Sequence, residues 1–496
     1  MDVIYIYPRD ETYIEIDASN DGIIQELAAY FTFLIPNAQF HPLVKARKWD
    51  GKVRLLNLAG RTIYKGLYDH ILEFATERKY AVTIAPQLLV DLENYFDAEE
   101  YMKTLGIKHI IPDAFQVEAV QHMIQHKRAL IISPTSSGKS LLMYCCIRWF
   151  LENTKGKILL TVPTIGLILQ LMKEFKEYSD FNILEHIHPI YDYEGMIKDS
   201  NKRIYISTWH SVYEETEKYF SQFDVIMADE AHGLSAESSK GIFEKAIHTP
   251  YKFGLTGTVK NTETHKTVIE GLTGKAFIVT TTKELMDIGR VAQLIIKCLV
   301  LRYPDAIRKQ NHNKKMKYHD EMKFIVNYAP RNKLIASIIE ALPSDQNAIV
   351  ITRFNDAKDI DHINILQKAM ENTKRHLFII TGDTPVEERE ACRQFCEANV
   401  GVTLLVTYGV FSTGVNIKNV QWLLFATGYK SEITVPQTLG RLLRLDGKTN
   451  KASAIDIVDD FSYKKDFNCI LEQFFERVKI YVQHGFKYIL QNINIE

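Results

Sequence analysis

Short apolar runs punctuate the chain from about residue 100 onward, each followed by a segment whose apolar positions fall three and four apart. The runs 129–132, 157–162, 203–207, 223–228, 251–255 and 276–280 predict strands, and the segments between them predict helices. Strands that alternate with helices imply a parallel sheet covered on both faces. The rhythm restarts after about residue 290, with strands expected at 294–301, 348–352, 376–380, 402–406, 422–426 and 454–458. From Tyr463 onward apolar residues recur near helical spacing, which predicts a helical tail. Residues 1–98 differ. Strands over 3–7 and 13–16 precede helices near 23–33 and 69–78, the pattern of a small α+β unit. The expectation is an α/β chain in three parts, 1–98, 99–288 and 289–496, with a parallel sheet in each of the last two.

The chemistry concentrates at the ends of these strands. Ser133-Pro134-Thr135-Ser136-Ser137-Gly138-Lys139-Ser140 follows the first apolar run and opens a helical segment. A strand feeding a tight loop and then a helix N-terminus is what a phosphate-binding loop requires. Gly138 lets the backbone approach phosphates, Lys139 reaches their oxygens, and the Ser140 hydroxyl is placed for Mg²⁺. Ser133 stands where the first glycine of G-x-x-x-x-G-K-[ST] belongs. Asp229-Glu230-Ala231-His232 ends the run 223–228. There Asp229 is placed to hold the metal, Glu230 to act as base toward water, and His232 to sense the γ-phosphate. In the later half, Gln437-Thr438-Leu439-Gly440-Arg441-Leu442-Leu443-Arg444 sets Arg441 and Arg444 three apart, on one face of an expected helix. Arginines so placed can stabilise transition-state charge on a phosphoryl group.

Charge adds two local features to a chain that is globally neutral. The 496 residues carry a net charge of −1, are 46% hydrophobic and 24% charged, and so describe a folded protein with no bulk attraction to polyanions. Within 41–65, however, Lys45, Arg47, Lys48, Lys52, Arg54, Arg61 and Lys65 face one acid, Asp50, with Phe40, Trp49 and Tyr64 interleaved. Cations mixed with aromatics suit a nucleic-acid backbone. A second basic stretch, Arg302 to Lys323, interrupts the strand rhythm, and as sequence it reads equally as a nucleic-acid contact or a solvated loop. No apolar run has the length of a membrane span, and the N-terminus lacks a signal-peptide pattern, so a cytoplasmic protein is expected. The six cysteines form no zinc-site spacing and read as reduced thiols.

These elements together resemble a superfamily 2 helicase over residues 112 to 460. Phe115-Gln116 resembles the adenine-reading element. Val162-Pro163-Thr164 and Ser207-Thr208-Trp209 resemble the two motifs that grip nucleic acid in the first domain. Leu255-Thr256-Gly257-Thr258 resembles the coupling motif, and Ile351-Thr352-Arg353-Phe354 and Thr407 with Phe411-Ser412-Thr413-Gly414-Val415-Asn416 resemble the motifs of the second domain. Trp49-Asp50-Gly51-Lys52 and Leu301-Arg302-Tyr303-Pro304-Asp305 are similar to phage recombination helicases of the UvsW type. The resemblance implies two tandem RecA-like domains, ATP and Mg²⁺ as cofactors, and a monomer acting on branched or forked DNA, or on an RNA–DNA hybrid, in the host cytoplasm. It implies nucleotide contacts from Gln116, residues 135–140, Gly414 and Asn416, catalytic roles for Gln437, Arg441 and Arg444, and nucleic-acid contacts from Lys48, Trp49, Lys52, Arg54, Pro163, Thr164, Thr208, Arg353 and Thr407. Three other readings compete: an RNA helicase, because the acidic box is Asp-Glu-Ala-His; a nuclease, because Pro304-Asp305 and Glu321-Met322-Lys323 fit a loose P-D…E-x-K pattern; and an ATP-binding clamp without motor activity.

Overall fold

The computed structural model describes residues 2–88, 96–107, 110–191, 201–259, 263–353, 355–356, 360–413, 417, 419–444, 450–464 and 466–496. The chain divides into two units between Thr280 and Thr281, so the helix Thr282–Asp287, expected with the first parallel sheet, belongs with the second.

The first unit holds three sheets, one of seven strands, one of four, and the antiparallel pair Thr32–Leu34 and Lys52–Arg54. The seven-stranded one runs in the order Ala276–Ile278, Arg128–Ile132, Tyr251–Thr256, Phe223–Asp229, Lys157–Val162, Ile204–Thr208 and Ile187–Ile190, with every pairing parallel. Its central strands are buried on both faces, which is why they read as continuous apolar runs. The edge strand Ile187–Ile190 was not expected. Pro189 masks it, and an edge is where a strand accepts a proline. The N-terminal sheet is mixed, in the order Thr62–Tyr64, Tyr13–Ala18, Val3–Pro8, Ala81–Ile84. Ile4, Ile6, Ile14 and Ile16 alternate inward against the helices Asp21–Tyr30 and Tyr68–Arg78.

The N-terminal sheet is not a separate bead. One apolar cluster runs from Ile4 through Leu67 into Leu130, Phe243 and Leu272 of the larger sheet and its helices. Polar contacts reinforce it. Arg128 pairs with Glu11 at 3.0 Å, and the fully buried Lys252 donates to Thr12 Oγ1 at 2.6 Å and to the Phe243 carbonyl at 3.0 Å. Gly66 packs so closely on the helix Glu263–Thr273 that a β-carbon there would sit 2.2 Å from the Glu270 carbonyl oxygen.

The second unit repeats the parallel architecture: His376–Ile380, Val402–Thr407, Ala348–Thr352, Trp422–Phe425, Lys451–Asp460, Gln293–Arg302 and Lys487–Asn494. Two RecA-like sheets with a small N-terminal mixed sheet are thus the architecture. The expected helical tail needs correction. The helix Cys469–Gln483 gives way at Gly485 (φ +70) to the strand Lys487–Asn494, which lines the sheet edge beside Gln293–Arg302. Its side chains are largely exposed, so no buried alternation marked it. The basic stretch is ordered: helices Asp305–Asn313 and Tyr318–Asn327 meet at a turn where Lys315 adopts φ 49°. No helix among the described residues is long and apolar enough to cross a membrane.

Candidate active site

The phosphate-binding loop leaves the strand Arg128–Ile132 and enters the helix Lys139–Asn153, capped by Gly138 at φ +90°. Gly138 is required twice over. Its backbone is left-handed, and a β-carbon would lie 2.3 Å from the Gln116 amide nitrogen. Gln116 does not reach outward. Its Nε2 donates to the Ser137 carbonyl at 2.8 Å, and its Oε1 accepts from the Asp113 amide at 2.9 Å, so it braces the loop from the helix Ala114–His126. Ser133, the departure from the glycine pattern, is buried; its amide donates to the Thr256 carbonyl at 2.8 Å and its hydroxyl bonds that of Ser137 across the loop. A glycine there would forfeit that cross-link. Thr135 and Ser136 form the loop crest, Ser136 at φ 71°.

Lys139 lies between the two carboxylates at the end of the strand Phe223–Asp229, with Nζ 2.6 Å from Asp229 Oδ1 and 3.1 Å from Glu230 Oε1. Burial opposes charge on all three. For Lys139 the two carboxylates outweigh it and raise its pKa. Burial pushes the Asp229 carboxyl up, against the pull of Lys139. For Glu230 burial acts in the same sense, but Lys139 and His232 override it and hold the carboxyl below its usual range. Glu230 sits at φ 54°, ψ 46°, a left-handed backbone that costs a residue with a β-carbon about 1–2 kcal/mol and aims its side chain at Lys139 and His232. His232 Nδ1 lies 3.3 Å from Glu230 Oε2 and 3.1 Å from Thr256 Oγ1, which joins the acidic box to the Leu255-Thr256-Gly257-Thr258 element.

Two neighbours carry no local sequence signal. Tyr178, ending the helix Ile165–Tyr178, places its hydroxyl 3.0 Å from Ser140 Oγ, and burial pushes that phenol up to about 12. His265 Nε2 meets the His232 carbonyl at 2.9 Å. Both are distant in sequence and lie outside any motif. Trp209, in contrast, stood in a quoted motif, and its ring covers Gly233 so tightly that a β-carbon there would be 2.0 Å away.

The expected nucleic-acid residues fall into three groups. Pro163 and Thr164 follow Lys157–Val162, Thr208 ends the adjacent paired strand, and all three therefore share one carboxyl edge. Thr208 is buried and bonds Ser211 Oγ at 2.7 Å. In the second unit Arg353 and Thr407 sit at the ends of neighbouring strands, where Thr352 pairs with Thr407. The Arg353 guanidinium lies between the rings of Tyr318 and Tyr429, at 5.2 and 4.8 Å, and donates to the Tyr318 hydroxyl. In the N-terminal region Lys48 and Lys52 are exposed, whereas Trp49 donates to the Lys52 carbonyl at 3.0 Å and Arg54 grips Asp50. Arg54 holds the Asp50 carboxyl down at about 2. Arg61 pairs with Asp17 and Asp21, and Lys65 with Glu11, so the seven-to-one charge excess along the sequence shrinks once acids from elsewhere fold against it.

One expectation about the second unit is corrected. Gln437 and Arg441 lie in the helix Thr434–Leu442, but Arg444 does not share it, because the helix ends at Leu443, whose carbonyl accepts from the Ala292 amide at 2.9 Å. Arg441 donates to the Phe411 carbonyl. Gly414 and Asn416 lie outside the described residues. The nuclease reading fails on Glu321. It is buried, and both carboxylate oxygens accept backbone amides, Cys469 and Ile470, at 2.9 Å, which leaves it committed to a helix N-terminus.

Comparison with known proteins agrees with this geometry. Residues 3–85 match the family described as DNA helicase UvsW, N-terminal; 109–261 match the type III restriction enzyme, res subunit; and 331–446 match the helicase conserved C-terminal domain. The chain is 30% identical to the ATP-dependent DNA helicase uvsW of Enterobacteria phage T4, covering 99% of this chain and 100% of that protein. It is 27% identical to the DNA 3'-5' translocase XPB2 of Sulfurisphaera tokodaii, covering 69% and 80% respectively. The crystal structure of T4 UvsW superposes with a TM-score of 0.50 at 28% identity, covering 99% of both chains. A phosphate loop facing an acidic box, on one of two RecA-like sheets, is the signature of an ATP-dependent superfamily 2 helicase. Within that class, the chain belongs to the UvsW family.

Proposed function

We propose that this protein is a DNA motor acting on branched substrates: it regresses forks, migrates Holliday junctions and unwinds R-loops in phage recombination, repair and replication. It works as a monomer in the host cytoplasm. The observation that carries the reading is the exposed Lys48 and Lys52, beside and on the two-stranded ladder Thr32–Leu34 and Lys52–Arg54, in an N-terminal region that shares one apolar cluster with the sheet bearing Asp229 and Glu230. Such a surface adds salt-sensitive affinity with little base preference. The T4 relative, named as an ATP-dependent DNA helicase, supports DNA as the substrate.

The residues fit Mg²⁺ and ATP. Ser140 and Asp229 offer hard oxygen donors, and among the described residues no group of three or more His, Cys, Asp or Glu forms a complete metal cage, so phosphate oxygens and water would complete the coordination. Bound Mg²⁺-ATP supplies the phosphoryl group and the negative charge that Lys139 answers. Once Lys139 turns to phosphate, Glu230 loses the cation that depresses its pKa and becomes the stronger base, ready to take a proton from the attacking water. His232 links that change to Thr256. Arg441 and Arg444, from the second unit, are assigned to the developing charge on the transferred phosphate, and the proposed nucleotide contacts include Gly414 and Asn416.

The test is the ATPase rate with no nucleic acid, then with single-stranded DNA, forked DNA and single-stranded RNA. Stimulation by DNA, with forked DNA strongest, is the expected result. Stimulation by RNA alone would make it an RNA helicase, and none at all would leave an ATP-binding switch.

A further inference from the structure

We propose that the helical hairpin Asp305–Asn313 and Tyr318–Asn327 is a second DNA-binding element, one that grips the phosphate backbone of a duplex arm. The proposal rests on DNA being the substrate, and it concerns a surface of the second unit that no helicase motif covers.

Three observations carry it. The hairpin is built as a fixed platform. Arg308 Nε donates to the Ser462 carbonyl at 2.7 Å, Glu321 caps the helix Cys469–Gln483, and Phe324 packs among Tyr303, Tyr328 and Phe461 with ring centroids 5.5–5.7 Å apart. A preordered surface gives up little conformational entropy on binding.

The charge is uncompensated. Lys309, Lys314, Lys315 and Lys317 are exposed, and none has a carboxylate within 4 Å among the described residues. The nearby acids are engaged elsewhere: Asp305 with Arg308 at 2.9 Å, Asp320 with the Lys317 amide at 3.1 Å, Glu321 with its cap, and Asp466 with His312 at 3.4 Å. Lys315 holds φ 49° at the turn, a conformation that glycine or asparagine would adopt at less cost, and the strained backbone sets this lysine at the tip.

The hairpin itself carries no stacking platform; the exposed ring of Phe467, which lines the same cleft as Lys315, belongs to the neighbouring segment and meets Phe475 edge to face. No large apolar or aromatic side chain of 302–327 is exposed, whereas the N-terminal basic region displays Phe40 at 65%. Unstacked single strands are held by aromatics; a row of lysines without them suits the regular phosphates of a duplex. The hairpin also reaches a helicase motif, because Tyr318 is the residue that receives and stacks on Arg353.

The test is a Lys309→Gln/Lys314→Gln/Lys315→Gln/Lys317→Gln variant of the full chain, with a Lys→Arg variant at the same four positions as the charge-preserving control. Binding is measured across a salt series on a forked DNA with duplex arms and on a single-stranded oligonucleotide. The Gln variant should lose roughly ten- to hundredfold affinity for the fork at low salt, and its log–log salt slope should fall by about 0.9 per lost contact. Its single-strand affinity and its ATPase stimulated by single-stranded DNA should be unchanged, and the Arg variant should match the native protein. Unaltered fork binding by a folded Gln variant overturns the proposal, and so does an equal loss on single strands. A native protein whose ATPase ignores DNA would instead defeat the functional reading itself.

Discussion

The two parallel sheets use charge in opposite ways. In the first, Lys139 sits between Asp229 and Glu230 at the carboxyl edge, where the Lys139 side chain keeps 18% exposure and Glu230 24%. In the second, Arg331 forks onto Asp459 at 2.7 and 3.0 Å, and Arg477 onto Asp456 at 2.9 and 3.0 Å, all four side chains at 1% exposure or less. Tyr303 and Tyr481 donate to the same carboxylates at 2.8 and 2.9 Å. A planar guanidinium clamped in a fork stays put. A flexible ammonium shared by two carboxylates at an open edge can leave. The first arrangement stores chemistry, and the second holds the sheet to its helices.

If that contrast is right, the two kinds of pair fail differently. Lys139→Ala should abolish ATP hydrolysis, by about 10³-fold or more, while the thermal unfolding profile stays native-like; a variant that still turns over would break the contrast. Asp459→Asn leaves the Arg331 charge buried without its partner, and should destabilise the second unit by about 3–5 kcal/mol in denaturant titration. Its effect should appear first as lost fold. Glu230→Gln should slow hydrolysis by about 10²–10⁴-fold yet bind nucleotide as well as the native protein, which equilibrium binding of a fluorescent ATP analogue would show.

The smallest effect concerns a third kind of pair, largely buried and between the helices Tyr68–Arg78 and Glu263–Thr273. His70 hydrogen-bonds Glu270 at 3.1 Å, with Glu73 at 3.4 Å and Lys275 and Lys266 also nearby. The Glu270 contact raises the His70 pKa above its ordinary 6.5. Its folded-state pKa lies above the unfolded one, so the contribution is full below the unfolded value and fades as pH rises through the folded value. The stability difference between native protein and His70→Gln should therefore shrink as pH is raised from 6 to 9.

Much of this was legible in the sequence because burial on both faces writes strands as plain apolar runs: 157–162 and 348–352 are strands to the residue. Ile187–Ile190 and Lys487–Asn494 escaped because edge strands need no such run. At the site, the loop and the acidic box were readable because each is written in consecutive residues at the end of an apolar run. Tyr178 and His265 were not, since only folding brings them to Ser140 and His232. The pairing of Arg61 and Lys65 was hidden for the same reason, because the acids that answer them lie outside the basic stretch. Arg444 falls past the end of its helix, where the Leu443 carbonyl accepts from the distant Ala292 amide, a contact that no local pattern announces.

The contact of Gly66 with the helix Glu263–Thr273 has a mechanical consequence. Backbone presses on backbone there, Tyr64 packs on Gly271 of the same helix, and near the opposite end of that helix His265 holds the carbonyl of His232. The helix is a strut. If the N-terminal region holds a strand as proposed, tension on it would reach the turn that carries Glu230 through packed atoms, without first taking up slack in a connecting peptide. A motor wired this way can feel the resistance of its track at the point where it hydrolyses its fuel.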